Sequence, residues 1–391
     1  ENINKHFWDE KQGCYTCYLY PEYLGYRPTQ RVGVMSNGLA AVLDIATTGQ
    51  SIQMVENFPL YPYGAAVLYP SIPDDFSYHN KSVWPVWETP YMYAARDVKN
   101  TKVVEHMIKS LVRAGALFLT HKENMTYDTG YDCGTALNSS RQLWSVASYI
   151  SMVYRVLFGM TMEEEGITFT PVVPDLVAGK ISLENFRYRD AVLNINITGK
   201  GNTVKKITVN GQDQKLPYLL PATAQGDYTI DIVMTATHAS DKMNLVQPGP
   251  REDWSPMEPV LEQKGQIINC PVESGLRYFL CGTKIEDKEI TFPYDLSRES
   301  AGFYSVYSVD KRGFKSDCSN PVIKTDWREI FEAEDAVSKG TFSNVHSGYS
   351  GKGFVVDLYT KPADVVFTID VPADGDYALV LSGANGHGPD G

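Results

Sequence analysis

The sequence predicts a multidomain chain in which helices come first and antiparallel β modules follow. Three observations carry this. Apolar residues recur at helical spacing through residues 36–161, they switch to alternation after Gly166, and 391 residues exceed one ordinary domain and suit two to four.

In order, residues 36–48 and 51–58 read as short apolar-rich helices. Residues 81–97 read as a third, with Pro85 tolerable only in the first turn and Pro90 predicting a kink. From Thr101 onward Val104, Met107, Ile108, Leu111, Val112 and Ala114 mark one face of an amphipathic helix. Ser139 followed by Gln142 predicts a capping box opening a helix that carries Leu143, Val146, Ile150, Val153, Tyr154 and Leu157. Connections as short as residues 98–100 predict antiparallel helical hairpins. A lone hairpin cannot bury its faces, so a larger helical array is expected.

Leu193, Ile195 and Ile197 alternate with Asn194 and Asn196, Tyr228, Ile230, Ile232 and Met234 repeat the pattern, and Asn210-Gly211 is a hairpin-turn signal. Residues 165–237 therefore read as an antiparallel sandwich, and the proline-bearing stretch 238–258 as a linker. Short strands at 277–280 and 302–309 predict a second small sandwich over 259–324, and a third β segment fills 325–391.

The formal charge of −12 comes without any long basic run, which argues against nucleic-acid binding and suits neutral or weakly charged ligands. No apolar run approaches the roughly 20 residues of a membrane span. The 25 tyrosines offer apolar faces edged with hydroxyls, as carbohydrate surfaces do, although β-rich chains share this bias. Cys14 and Cys17 have no second pair at zinc-finger spacing, while Cys270, Cys281 and Cys318 share one predicted β unit and allow one bridge of open pairing. The chain opens at Glu1 and closes at Gly391 in a polar stretch, and both ends read as cuts in a longer polypeptide.

Chemistry concentrates between Tyr78 and Ser145. Glu123 lies in a polar loop after a helix, with Asn124, Thr126, Tyr127 and Asp128, where a carboxylate serves as a general base or is simply solvated. Trp84 and Trp87, three residues apart, either stack on sugar rings or belong to a core. His79 either bonds a sugar hydroxyl or is structural. Glu88 reads as a helix-surface or substrate-hydroxyl partner, and Tyr127 as a substrate contact from the Glu123 loop.

Glu123-Asn124 followed by Thr129-Gly130 and Gln142-Leu143-Trp144-Ser145 resembles a motif of the six-hairpin, or (α/α)6-barrel, glycosidases, especially glycoside hydrolase family 63 and relatives. Tyr78-His79-Asn80 with Val83-Trp84-Pro85 resembles their Y-H-N-G-x-x-W-P element, with Lys81 where glycine is usual. The resemblance implies that residues 1–164 are part of an (α/α)6 barrel, that Glu123 is the catalytic base, and that the reaction inverts the anomeric centre. The families' general acid, an Asp in a G-W-D-x-S motif, has no match here. Trp8-Asp9 shares two letters only, and Asp9 is not given that role.

Residues 165–237 resemble the sandwich that follows such barrels, and residues 259–324 a fibronectin type III-like spacer. Phe331-Glu332-Ala333-Glu334-Asp335, Gly348-Tyr349-Ser350-Gly351-Lys352-Gly353 and Gly375-Asp376-Tyr377 resemble carbohydrate-binding modules of families 6 and 35. That resemblance implies Glu332 and Glu334 as ligands of a structural calcium and Asn385 as a sugar contact; two acids on one strand face would suit such an ion. The implied protein is a secreted, periplasmic or cell-surface glycoside hydrolase acting on oligo- or polysaccharides, with no catalytic cofactor. A non-catalytic carbohydrate binder, a rhamnosidase-like hydrolase and a polysaccharide lyase are the alternatives.

Overall fold

A computed structural model describes residues 1–383 apart from 23–24, 74, 178, 238–239, 250–252, 283–284, 326, 328, 359–363, 375–376 and 378. The architecture is mixed α+β, with a few helices, interleaved with short two-stranded sheets, ahead of the larger β-sheets. The helices are α1 (Asn2–His6), α2 (Val34–Val42), α3 (Thr48–Asn57), α4 (Pro85–Asp97), α5 (Thr101–Phe118) and α6 (Leu143–Ser151), the last running on into a π-helical turn, Met152–Leu157.

Local chemistry sets several of these boundaries. At α3, Gln50 N–H donates to the Thr47 hydroxyl at 3.2 Å and Thr47 N–H donates to Gln50 Oε1 at 2.9 Å, a reciprocal capping box. At α5, Asn100 Oδ1 accepts from Val103 N–H at 3.0 Å. Pro85 occupies the first turn of α4, where its missing N–H costs nothing, and Pro90 lies inside the helix. The box expected at Ser139 and Gln142 does not form: Gln142 is itself the N-cap of α6 and makes no side-chain cap bond. Ser139 N–H is taken instead by the Glu123 carboxylate.

Helices α2 and α4 cross very closely. A Cβ at Gly38 would lie 2.3 Å from Tyr91 N and 2.5 Å from the Pro90 carbonyl carbon, so only glycine permits the contact. Beneath it Met54, Val55, Phe58, Tyr91, Met92, Val103, Val104 and Met107 are buried, and the same core continues into Ile167, Leu193, Ile195, Ile230 and Ile232 of the next unit.

That unit has a five-stranded sheet in the order Lys180–Tyr188, Ala191–Thr198, Gly226–Thr235, Thr203–Val209, Gln212–Asp213, and a three-stranded sheet of Met160–Met162, Gly166–Phe169 and Leu219–Pro221. The expected alternation is present, with Ala191, Leu193, Ile195 and Ile197 buried in turn. The expectation of a wholly antiparallel unit is corrected at its centre: Ala191–Thr198 pairs in parallel with Gly226–Thr235, placing Ile195 against Ile230. The reason is that the hairpin 203–213 intervenes in sequence and flanks the pair instead of separating it.

Residues 240–249 and 253–258 run over the helical unit. Asn244–Leu245 pairs with Pro59–Leu60, Ser71 N–H donates to Asp253 O at 2.9 Å, and Asp253 is itself buried. Residues 262–324 form a three-stranded and a four-stranded antiparallel sheet around Ile268, Leu280, Tyr304 and Val306. There the Tyr304 hydroxyl donates to Ser300 O at 2.7 Å, closing a corner at the start of its strand. Arg31 joins this unit to the helices through Asp317 at 3.0 Å, and Arg27 makes two 2.9 Å bonds to Asp287. Residues after 330 hold two short strand pairs, Val337–Ser338 with Val365–Val366 and Thr341–Ser343 with Phe354–Val356. No described helix is long and apolar enough to cross a membrane.

Candidate active site

A short antiparallel pairing assembles the site. Ser82 faces Thr126 and Val83 faces Met125, which brings residues 78–84 beside the loop that carries Glu123. The buried Asn80 side chain donates to Ile72 O and accepts from Ile72 N–H, both at 3.0 Å, and so closes the loop before it. Lys81 follows with φ 58, the left-handed region glycine enters at no steric cost. This accounts physically for a glycine at that place in the resembling motif. Here a lysine takes it, its ammonium donating to Asp75 O at 3.0 Å and lying 3.6 Å over the Trp254 ring.

Glu123 is 8% exposed, and both carboxylate oxygens are oriented. Oε1 accepts from the Tyr78 hydroxyl at 2.9 Å and Oε2 from Ser139 N–H at 2.8 Å, while Glu123 N–H donates to Ser139 O at 2.9 Å. A carboxylate offers about four lone-pair positions, so two remain for water or a sugar hydroxyl. The bond to Glu123, followed by desolvation, pushes the Tyr78 phenol above its usual range and keeps it a donor. Asn124 is fully buried and serves the scaffold: its side-chain amide donates to Leu137 O at 3.1 Å, and its backbone carbonyl accepts from the Asn138 side chain at 2.7 Å.

An aromatic wall adjoins the carboxylate. Tyr78 lies 4.6 Å from His79 and 4.9 Å from Trp84, and His79 stacks on Trp87 at 5.5 Å with planes 21° apart. Trp144, 44% exposed at the start of α6, stands 6.0 Å from Trp84. Trp84 is buried and forms the base of the wall, its indole N–H donating to Tyr78 O at 2.7 Å and to the Ser82 hydroxyl at 2.9 Å. His79 and Trp144 are its exposed members. The structure thus brings together Glu123, His79, Trp84 and Trp87, and adds Tyr78, Ser139 and Trp144. Tyr78 stands inside a recognised motif, but its bond to Glu123 spans 45 residues and has no local signal.

Two expected substrate contacts point elsewhere. Glu88, expected at the helix surface, is 1% exposed beneath the wall. Desolvation there raises its carboxyl to about 8, although the bond from Ala65 N–H and the contact with the Ser110 hydroxyl oppose the shift. It lies inside because the first turn of α4 packs directly on the loop at residues 63–65 and on α5, and both Glu88 oxygens are used there. Tyr127 is buried with its hydroxyl donating to Asp253 at 3.3 Å and accepting from Trp254 Nε1 at 3.3 Å. Asn385 lies outside the described residues.

Glu332 and Glu334 do meet, in a separate unit, though not on one strand face: Ala333–Asp335 is a 3-10 turn. They converge on Gly351, where a Cβ would fall 2.5 Å from Glu334 Oε1 and 2.8 Å from Glu332 Cδ. Ser350 donates to Glu332 at 2.9 Å, and Lys352 and Gly353 N–H donate to Glu334 at 2.6 and 3.0 Å. Backbone N–H groups, its own first and then these two, hold the Glu334 carboxyl below its usual range. Two carboxylates suit calcium in kind, but about six to eight oxygens are needed, and the described residues contain no group of three or more His, Cys, Asp or Glu side chains placed to hold a metal.

No family model matches the chain. A 59-residue stretch is 44% identical to the cycloisomaltooligosaccharide glucanotransferase of Niallia circulans. The matched stretch is 15% of this chain and spans 6% of that relative's length.

Proposed function

We propose that residues 78–145 form one wall of a glycosidase-type active site, with Glu123 as the general base. The observation that carries this reading is the Glu123 carboxylate, oriented by Tyr78 and Ser139 beside a ring wall with His79 and Trp144 at its open side. In this reading Glu123 takes the proton of the attacking hydroxyl, from water in hydrolysis, while His79, Trp87 and Trp144 hold the sugar. Inversion requires an acid about 6.5 to 9.5 Å across the bond, and we assign that acid to no residue of this sequence. The segmental similarity to an enzyme named for an isomaltooligosaccharide supports α-linked glucans as the substrate class.

The further readings belong to the same proposal. Residues 1–164 contribute to an (α/α)6 barrel, residues 165–237 and 259–324 are sandwich modules joined by 238–258, and residues 325–391 are part of a carbohydrate-binding module. In that module Glu332 and Glu334 would hold a structural calcium, and Asn385 would touch sugar. An extracytoplasmic location goes with an oligo- or polysaccharide substrate.

Calorimetric titration of the 391-residue chain with isomaltotetraose and maltotetraose tests the sugar wall. Binding is expected, and its loss is expected in His79→Ala and Trp144→Ala. Absence of binding to either oligosaccharide overturns the assignment. Binding that depends on these residues, in a longer polypeptide without turnover, would favour a non-catalytic binder, and turnover unchanged by Glu123→Gln would remove the base assignment.

A further inference from the structure

Beneath the aromatic wall, three polar groups are sealed together with one proton too few. Ser110 Oγ stands 2.9 Å from Tyr63 O and 3.0 Å from Glu88 Oε2, while Glu88 Oε1 accepts from Ala65 N–H at 2.7 Å. A backbone carbonyl only accepts, and a serine hydroxyl carries a single hydrogen. If Glu88 were ionised, Ser110 would face two acceptors with one proton. If Glu88 carries a proton on Oε2, every contact is served: Glu88 donates to Ser110, and Ser110 donates to Tyr63 O.

The site also excludes the water that would stabilise a charge. Glu88 and Ser110 are 1% and 4% exposed, and Gly64 lies directly over them, where a Cβ would fall 2.4 Å from Glu88 Oε1 and 2.6 Å from Ser110 Oγ. Several titratable and charged groups on the elements packed around it are engaged elsewhere. Tyr61 bonds Asp253, Tyr63 lies under the Arg113 guanidinium at 4.5 Å, and Lys109 pairs with Glu105 on α5. His106 bonds Tyr61 O at 2.8 Å, and burial lowers its pKa, favouring the neutral ring. Arg96, near the far end of α4, pairs with Asp97.

We propose that Glu88 is held as a neutral acid whose proton bridges α4 to Ser110 of α5, making it a positioning residue for Trp84 and Trp87 in the adjoining turn. Its burial and its shift upward act in the same direction as this proton count. That the wall so positioned meets sugar rests on the proposed function; the protonation state does not.

Two measurements on the 391-residue chain decide it. Infrared difference spectra are expected to show a protonated-carboxyl C=O band in the wild type that disappears as pH rises through about 8, is absent in Glu88→Gln, and persists in Asp253→Asn. The spectra of the wild type and of Asp253→Asn suffice for the assignment, so a failure of Glu88→Gln to fold leaves it decidable. The folded carboxyl titrates above its ordinary 4.5, so Glu88 stabilises most at acid pH and loses its contribution as pH rises toward about 8. The wild-type unfolding constant should therefore rise about tenfold per pH unit relative to Glu88→Gln across that interval. A wild-type spectrum without such a band, a band lost in Asp253→Asn, or parallel pH profiles for wild type and Glu88→Gln would each overturn the proposal. Isomaltotetraose affinity that weakens at alkaline pH in the wild type alone supports the positioning role. No oligosaccharide binding at any pH, with band and profile as expected, removes the sugar reading and leaves the neutral acid standing.

Discussion

The Tyr61 hydroxyl and the Asp253 carboxylate meet at 2.5 Å, across 192 residues of sequence and inside the protein. Tyr127 adds a second donor to the same carboxylate at 3.3 Å. Through these bonds Asp253 becomes part of the scaffold behind the Glu123 loop, because Tyr127 stands four residues after Glu123.

Asp253→Ala leaves two buried phenols short of an acceptor. A loss of about 2–6 kcal/mol in urea unfolding is expected, from one to three for each unpaired buried group. Asp253→Asn, which keeps an acceptor oxygen, should lose less.

Gly38→Ala places a methyl carbon 2.3 Å from Tyr91 N, and backbone cannot step aside as a side chain can. The expected cost is about 3 kcal/mol, the upper part of the overpacking range, read as a fall in Tm.

Lys81 carries a left-handed backbone and a cation held over Trp254. Lys81→Ala removes the cation and keeps the strained backbone, for an expected loss of about 1 kcal/mol. Lys81→Gly removes both, so it should unfold at higher denaturant than Lys81→Ala. The reverse order would contradict the role given to φ.

Glu123→Gln preserves both local bonds: its oxygen accepts from Ser139 N–H, and its amide donates to the Tyr78 oxygen. Stability should therefore hold within about 1 kcal/mol. Turnover by a longer polypeptide containing this chain should fall about 10²- to 10⁴-fold, as for loss of a general base.

Where one stretch of chain decides the outcome, the structure is legible in the sequence. The amphipathic face of α5, from Val104 to Ala114, and the alternation of Leu193, Ile195 and Ile197 are local periodicities, and both stand in the structure except at Val112, which is exposed. The parallel pairing of Ile195 with Ile230 is not legible, because strand order depends on partners far along the chain. Ser139 shows the same limit. Its spacing to Gln142 suits a cap, yet its N–H is claimed by Glu123, 16 residues away. His79, Trp84 and Glu123 stand out as motif letters, whereas Trp144 joins Trp84 only once α6 is laid against α4. Glu88 reads as a surface group because acids are normally exposed. Only the packing of Gly64 and Ser110 puts it inside.

The apolar core that runs without interruption from Met54 and Met107 to Ile195 and Ile232 makes the helical unit and the sheet beyond it one melting block. A protease given access to residues 159–165 should find no separable halves. The unit around Ile268 and Leu280 has its own core, so calorimetry should resolve it as a second transition once Arg31→Met and Arg27→Met together remove its ion pairs to the first.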